Sequence, residues 1–273
     1  MTSADGVNWT GIPSANIRML WKSVTYGKGI FVAVASTGGG SKAYRAMTSP
    51  DGINWTGQPS SGTDAMSWQC IAYGNGVFVA VANSGTGNRT MSSPDGINWS
   101  RHSSSNDAML WSSVAYGNGT FVAVAVRGTG TYKTISSYDN GSTWAGNPSA
   151  DENLQWRSIT YGSGIFVAVA SFAESGNRTM LSPDGINWTG HPSADDTSQW
   201  QSITYGNGFF VAVASEGPGN RTMTSPDGIN WTGHPSSDDG VRWLSVAFGN
   251  GVFVAVASST NSTKTDRTMS AVM

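Results

Sequence analysis

The sequence predicts an all-β fold, a six-bladed β-propeller with four antiparallel strands per blade. Three observations predict it: a unit of about 45 residues recurs six times along the 273 residues, each copy holds short apolar runs between tight-turn signals, and no stretch keeps a helical period. The twelve tryptophans mark the repeat. Trp9, Trp55, Trp99, Trp144, Trp188 and Trp231 each close a D-G-x-x-W-like element, and Trp21, Trp68, Trp111, Trp156, Trp200 and Trp243 each open a W-x-S-[VI]-[AT]-Y-G-x-G-like element 12 or 13 residues later. Units running from end to end argue for a single domain over 1–273.

Within one unit, Gln201 to Tyr205 alternates polar and apolar residues and reads as a first strand, closed by the turn Gly206-Asn207-Gly208. Phe209 to Ala214 is an apolar run too short for a typical helix and rich in β-formers, which predicts a second strand buried on both faces. Ser215 to Asn220 is a Gly/Pro loop, Arg221 to Ser225 a third strand, Pro226-Asp227-Gly228 a turn, and Ile229 to Thr232 a fourth strand. Alanines at the centre of each unit, as in Phe31-Val32-Ala33-Val34-Ala35, keep strands thin where blades crowd, and the aromatics supply bulk further out. The sequence opens inside a turn before a fourth strand and closes on a third strand, Arg267 to Ser270. Residues 5–10 are therefore expected to complete the sixth blade as a clasp of backbone hydrogen bonds.

Fifteen Lys and Arg stand against 17 Asp and Glu, and charged residues make up only 12% of the chain, so there is no basic stripe for nucleic acid. No apolar run reaches the roughly 18 residues of a membrane span, which predicts a soluble chain with no membrane insertion. Cys70 occupies a position that is serine in the other copies and reads as a small buried substitute. Sequons such as Asn8 and Asn88 recur beside strands where glycans would obstruct packing, which favours a bacterial or phage source, virion-associated or extracellular.

Ser137-Tyr138-Asp139-Asn140-Gly141-Ser142-Thr143-Trp144 resembles the Asp-box (BNR) of sialidase-like propellers, S-x-D-x-G-x-x-W. The other five copies, such as Ser49-Pro50-Asp51-Gly52-Ile53-Asn54-Trp55, are one residue shorter. The whole unit is similar to the S-P-D-G-x-x-W, Y-G-N-G-x-F-V-A-V-A arrays of phage and bacterial proteins. The resemblance implies that the box lies between third and fourth strands as a folding element, on the face opposite an active site.

The blade-to-blade connections carry Asp151 with Glu152, Asp195 with Asp196, and Asp238 with Asp239, besides single acids at Asp64 and Asp107. They read either as solvated loop acids or as a ring that takes a cation or a polyol. His102, His191 and His234 share one repeat position, too far apart around a ring to converge on one metal, so no metal and no cofactor is expected. A sialidase needs an arginine cluster, a tyrosine activated by glutamate and an acid. Here Arg89, Arg178, Arg221 and Arg267 repeat at one position, no F/Y-R-I-P element is present, and departures such as Tyr44, Tyr132, Glu174 and Glu216 are scattered. The expectation is therefore no enzyme. Repetition suits multivalent binding, because weak identical sites gain avidity on a repetitive target. The candidate carbohydrate contacts are Trp21, Trp68, Trp111, Trp156, Trp200 and Trp243 for stacking, with Arg45, Arg89, Arg178, Arg221 and Arg267 and the loop acids Asp151, Asp195, Asp196, Asp238 and Asp239 for hydroxyls. The same tryptophans also suit an inter-blade core, and the arginines a loop carbonyl. The reading is a monomeric, lectin-like or adhesive module whose partner is a glycan or repetitive surface polymer. A decorating component of a phage-like particle is the alternative, and a sialidase-like glycosidase comes third.

Overall fold

Asn-Gly pairs dictate the hairpins. In the computed structural model Asn75 and Gly76 both have positive φ, 47° and 78°, the two-residue geometry whose twist matches paired strands, and Asn207-Gly208 repeats it at 47° and 84°. The structure describes residues 1–16, 18–36, 44–58, 66–85, 87–171, 177–258 and 267–272. Asp64 and Glu174 lie outside them.

Blade 1 is β1 (Leu20–Gly27), β2 (Ile30–Ser36), β3 (Ala46–Ser49) and β4 (Thr56–Gln58); blade 2 is β5 (Trp68–Gly74), β6 (Val77–Ala82), β7 (Thr90–Ser93) and β8 (Ser100–His102). Blade 3 is β9 (Leu110–Gly117), β10 (Thr120–Arg127), β11 (Thr134–Ser137) and β12 (Ala145–Asn147). Blade 4 is β13 (Trp156–Gly162), β14 (Ile165–Ala170), β15 (Thr179–Ser182) and β16 (Thr189–His191); blade 5 is β17 (Trp200–Gly206), β18 (Phe209–Ala214), β19 (Thr222–Ser225) and β20 (Thr232–His234). Blade 6 is β21 (Arg242–Gly249), β22 (Val252–Ser258) and β23 (Thr268–Val272). Five sheets hold four strands in meander order and the sixth holds three. The fold is all-β, with blades in a propeller arrangement and no helix among the described residues.

The strands group into two compact units, Met1–Thr2 with Trp9–Asn147, and Ser3–Asn8 with Pro148–Met273. In the first unit, Val32 and Val34 of β2 pack with Ile71, Phe78, Ala80 and Trp99 of blade 2. In the second, Val167 and Val169 of β14 pack with Ile203, Phe210 and Ala212 of blade 5. The Tyr-Gly signature at the end of each first strand has a steric cause. A Cβ on Gly74 would fall 2.0 Å from Cγ of Tyr116, and one on Gly162 would fall 2.0 Å from Cγ of Tyr205. Only glycine lets the neighbouring blade's ring lie flat on the backbone.

The N-terminal segment departs from the expected clasp. Thr10 pairs with Thr2 in an isolated bridge, as Thr48 of β3 pairs with Thr56 of β4, so residues 2–10 form a hairpin tip of their own. In the second unit, Gly6 lies against blade 6, where a Cβ would meet Val254 Cγ2 at 2.9 Å. Among the described strands, none from residues 5–10 is added to β23.

Candidate functional site

The box turns are built from their own side chains. Asp51 Oδ1 accepts the Ile53 and Asn54 amides at 2.8 Å each, Asp51 Oδ2 accepts Asn54 Nδ2 at 2.8 Å, and Ser49 Oγ accepts the Gly52 amide at 2.8 Å. Trp55 Nε1 closes the turn on Gly52 O at 3.1 Å. The longer box does the same with Thr143 Oγ1 on Asp139 Oδ2 at 2.7 Å. These donors, led by the backbone amide of Asn54, hold Asp51 well below the usual carboxylate range. Burial opposes the effect at Asp95, yet hydrogen bonds from Asn98, Ile97 and Ser93 still bring it down to about 2.

The second tryptophan set faces inward. Trp68, Trp111, Trp156, Trp200 and Trp243 are fully buried and Trp21 is half-buried. Each of these residues adjoins a β-bulge, and the indole Nε1 of Trp156, Trp200 and Trp243 reaches back to the carbonyl of Asp151, Asp195 and Asp238 at 3.1 to 3.2 Å. Trp21 does so to Asn16 O at 3.2 Å. The five buried rings present no face to a sugar, which corrects their assignment as stacking residues and leaves them as core, while Trp21 keeps part of its surface open.

The acids bind their own loops rather than forming an outward ring. Asp196 Oδ1 accepts the Ser193 amide and hydroxyl at 2.9 and 2.7 Å, Asp239 Oδ1 accepts those of Ser236 at 3.3 and 2.5 Å, and Asp107 repeats the pattern on Ser104. Asp151, Asp195 and Asp238 accept the amides of Asn153, Thr197 and Gly240 at 2.7 to 2.8 Å. The arginines tie loops to the next blade. Arg89 Nη1 donates to Met109 O at 2.6 Å, Arg221 Nη1 to Ser215 O and Val241 O at 2.8 and 2.9 Å, and Arg178 Nη1 to Ser198 O at 3.3 Å. Arg45 is buried and Arg267 half-buried at the same repeat position. Burial pulls the guanidinium pKa of Arg89 and Arg178 down, opposed by Asp107 in one case and by Asp196 and Asp195 in the other. The histidines brace fourth strands, with His102 Nε2 at 2.9 Å from Ser92 Oγ and His234 Nε2 at 2.9 Å from Thr224 Oγ1. Among the described residues no cluster of His, Cys, Asp or Glu has metal-binding geometry.

What the structure brings together is a cavity of about 350 Å³ in the second unit, between blades 5 and 6. Val211, Val213, Val246, Phe253, Ala255 and Met269 form its apolar walls, with Thr222, Thr224 and His234 on one side. The equivalent positions between blades 1 and 2 are Val32, Val34, Ile71, Phe78, Ala80 and Met91, and they close around Trp99. Trp144 sits likewise among Val79, Val81, Val114, Phe121 and Ala123, and Trp231 packs against Val167, Val169 and Phe210. The cavity thus has the walls that enclose a box tryptophan in the other slots.

Fold and cavity together define a β-propeller with an open space between two of its blades. Among solved structures, the chain is similar to virginiamycin B lyase from Staphylococcus aureus, with a TM-score of 0.74 at 14% identity over 95% of this chain and 86% of that one. A streptogramin B lyase gives 0.72 at 13% identity over 86% and 75%, and YCF48 bound to D1 peptide gives 0.60 at 15% over 88% and 75%. At these identities the likeness is one of fold. No family model and no curated protein matches the chain, so the Asp-box family resemblance rests on the turn alone. The expectation that the chain is not an enzyme is corrected by these neighbours, because lyases stand among the propellers on which it superimposes. No helix among the described residues is long and apolar enough to cross a membrane.

Proposed function

We propose that the chain is a polypeptide-binding propeller, taking an aromatic side chain on an extended segment into the slot between blades 5 and 6. One observation carries this reading: the walls that enclose Trp99 recur around an open space of about 350 Å³. The edge of β23 lies beside it, because Met269, Ser270 and Ala271 line the cavity. A strand laid on that edge gains backbone hydrogen bonds while its aromatic residue fills the slot, the mode of β-strand addition. A propeller neighbour that binds a peptide is consistent with it.

The test is a titration with a labelled peptide of the sequence Ser225–His234. Saturable binding, weakened at least about tenfold when its tryptophan is serine, supports the reading. Equal binding of both peptides, or none at about 1 mM, refutes it.

A glycan-binding, adhesive role is the second reading, now carried by different rings. Tyr44 and Tyr132 are 49% and 42% exposed, and each lies over a glycine backbone, where a Cβ on Gly57 or Gly146 would meet the ring at 3.0 and 2.9 Å. A ring held flat on one face and open on the other is a platform for the apolar face of a sugar. Loss of glycan-array binding in Tyr44→Ala and Tyr132→Ala supports it, and retention in both removes it. The scaffold also hosts lyases, and a quinupristin turnover assay of the intact chain addresses that activity directly.

A further inference from the structure

We infer that the loop between β10 and β11 of blade 3 binds a uronic-acid residue of a polysaccharide, with the pyranose ring stacked on Tyr132 and its carboxylate on Arg127; the inference rests on the glycan-platform reading of Tyr132 above. Charge is divided unequally between the two units. The first holds nine Lys and Arg against five Asp and Glu, and the second six against twelve. The described acids of the first unit are already engaged: Asp51, Asp95 and Asp139 close their box turns, and Asp107 accepts the Asn88 and Arg89 amides at 2.9 and 3.2 Å. Arg127 is exposed, and among the described residues no carboxylate pairs with it. An excess of cations in one unit draws an anionic partner to that unit.

Four departures from the repeat meet at this loop. Arg127 stands where blade 2 has Ser84 and blade 5 has Glu216, and Tyr132 stands where blades 2, 4 and 5 have Asn88, Asn177 and Asn220. Ser105 replaces Ala150 and Ala194 of the later connections, and Asn106 replaces their Asp151, Asp195 and Asp238. The changes supply a ring, a cation and a hydroxyl, and remove one negative charge. The bond from Ala125 N to Lys133 O at 2.9 Å closes the neck of the loop, and Arg127 and Tyr132 lie within two residues of it on either side. A Cβ on Gly146 would stand 2.9 Å from both Tyr132 Cδ2 and Ser105 Oγ, and Asn106 Nδ2 lies against Gly130 of the same loop.

The chemistry of a hexuronate matches this set. Its apolar ring face stacks on the open side of Tyr132, and its carboxylate, carried at the ring edge, is left to a guanidinium beside the platform. Ser105 and Asn106 offer a hydroxyl and an amide to the sugar hydroxyls. Tyr44 repeats the platform in blade 1 of the same unit, so a polymer that reaches both rings gains avidity. One ring and one exposed guanidinium per platform suit a sugar carboxylate better than a nucleic-acid strand, which takes a row of cations along its phosphates.

Calorimetric titration of the intact chain with polygalacturonate and hyaluronan oligosaccharides, each beside its carboxyl-reduced form, tests this. The variants Tyr132→Asn, Arg127→Ser and Asn106→Asp borrow residues that other blades already hold at these positions, and thermal melts establish that they fold. The expected result is saturable binding of at least one acidic oligosaccharide, weakened at least about tenfold by carboxyl reduction, by Tyr132→Asn and by Arg127→Ser. Asn106→Asp, which returns a negative charge, should weaken the acidic form and leave the reduced form unchanged. Equal affinity for the acidic and reduced forms, or binding that Arg127→Ser leaves intact, overturns the inference; if Tyr132→Asn still removes that binding, the platform reading stands without it. Tighter binding of an oligothymidylate than of either uronate overturns it in favour of a nucleic-acid strand. No binding of any of these oligosaccharides at about 1 mM also overturns it, and the platform reading then stands or falls on the glycan array.

Discussion

Blades 1 and 2 and blades 5 and 6 present the same walls to each other, but Trp99 stands between the first pair and nothing described stands between the second. The difference shows which part of the repeat is wall and which is filler. Valine pairs on the second strand and the Phe-x-Ala run of the next blade shape an indole-sized space whether or not an indole occupies it. The D-G-x-x-W turn is a separable plug, held in shape by its own aspartate.

The comparison is broken most directly at the two tryptophans. Trp99→Ala should cost about 3–5 kcal/mol and lower the melting temperature sharply, whereas Trp9→Ala should cost under about 1 kcal/mol, both read by urea unfolding. Equal losses would mean that Trp9 is as deeply packed as Trp99.

Next in size is a glycine pair. Gly74→Ala drives a Cβ to 2.0 Å from Tyr116 and should cost about 1–3 kcal/mol, while Gly249→Ala has nothing within 4 Å and should stay within about 0.5 kcal/mol. Thermal melts of the two variants decide it.

The plug's dependence on its aspartate gives a smaller effect. Asp95 titrates at about 2 in the folded chain against 3.8 for the free group, so its contribution is complete above about pH 4 and is lost as pH falls toward 2. Asp95→Asn should cost about 1 kcal/mol at pH 7, discounted for its exposure, and should flatten the acid side of the stability profile. An unchanged slope between pH 4 and 2 would remove the carboxylate from the account.

Smallest is filling the slot. Val211→Phe adds bulk to the open cavity, and should stabilise by about 0.5–1 kcal/mol while abolishing binding of the Ser225–His234 peptide. The paired Val32→Phe, against the filled slot, should destabilise.

The strands, the Asn-Gly turns and the box were legible because each is set by local chemistry: positive φ at Asn75 and Gly76, and a carboxylate within reach of the amides two and three residues on. The direction of the Trp68-type rings was not, because a β-bulge between Trp68 and Cys70 resets the in-out alternation that a pattern reading depends on. The loop acids could have been read better. Ser104–Asp107, Ser149–Glu152, Ser193–Asp196 and Ser236–Asp239 share an S-x-x-[DE] spacing, which marks a side chain folding back on a backbone amide. The slot is a property of two blades facing each other, which no single repeat spells out.

The central claim is that an indole on a box turn enters the cavity between blades 5 and 6. Methyl-resolved NMR of Val211, Val213, Val246 and Ala255 during titration with the Ser225–His234 peptide tests it most directly. The account predicts upfield ring-current shifts confined to those methyls and absent with the tryptophan-to-serine peptide. Shifts centred instead on residues around Tyr44 or Tyr132, or none on the cavity walls at saturation, would contradict it.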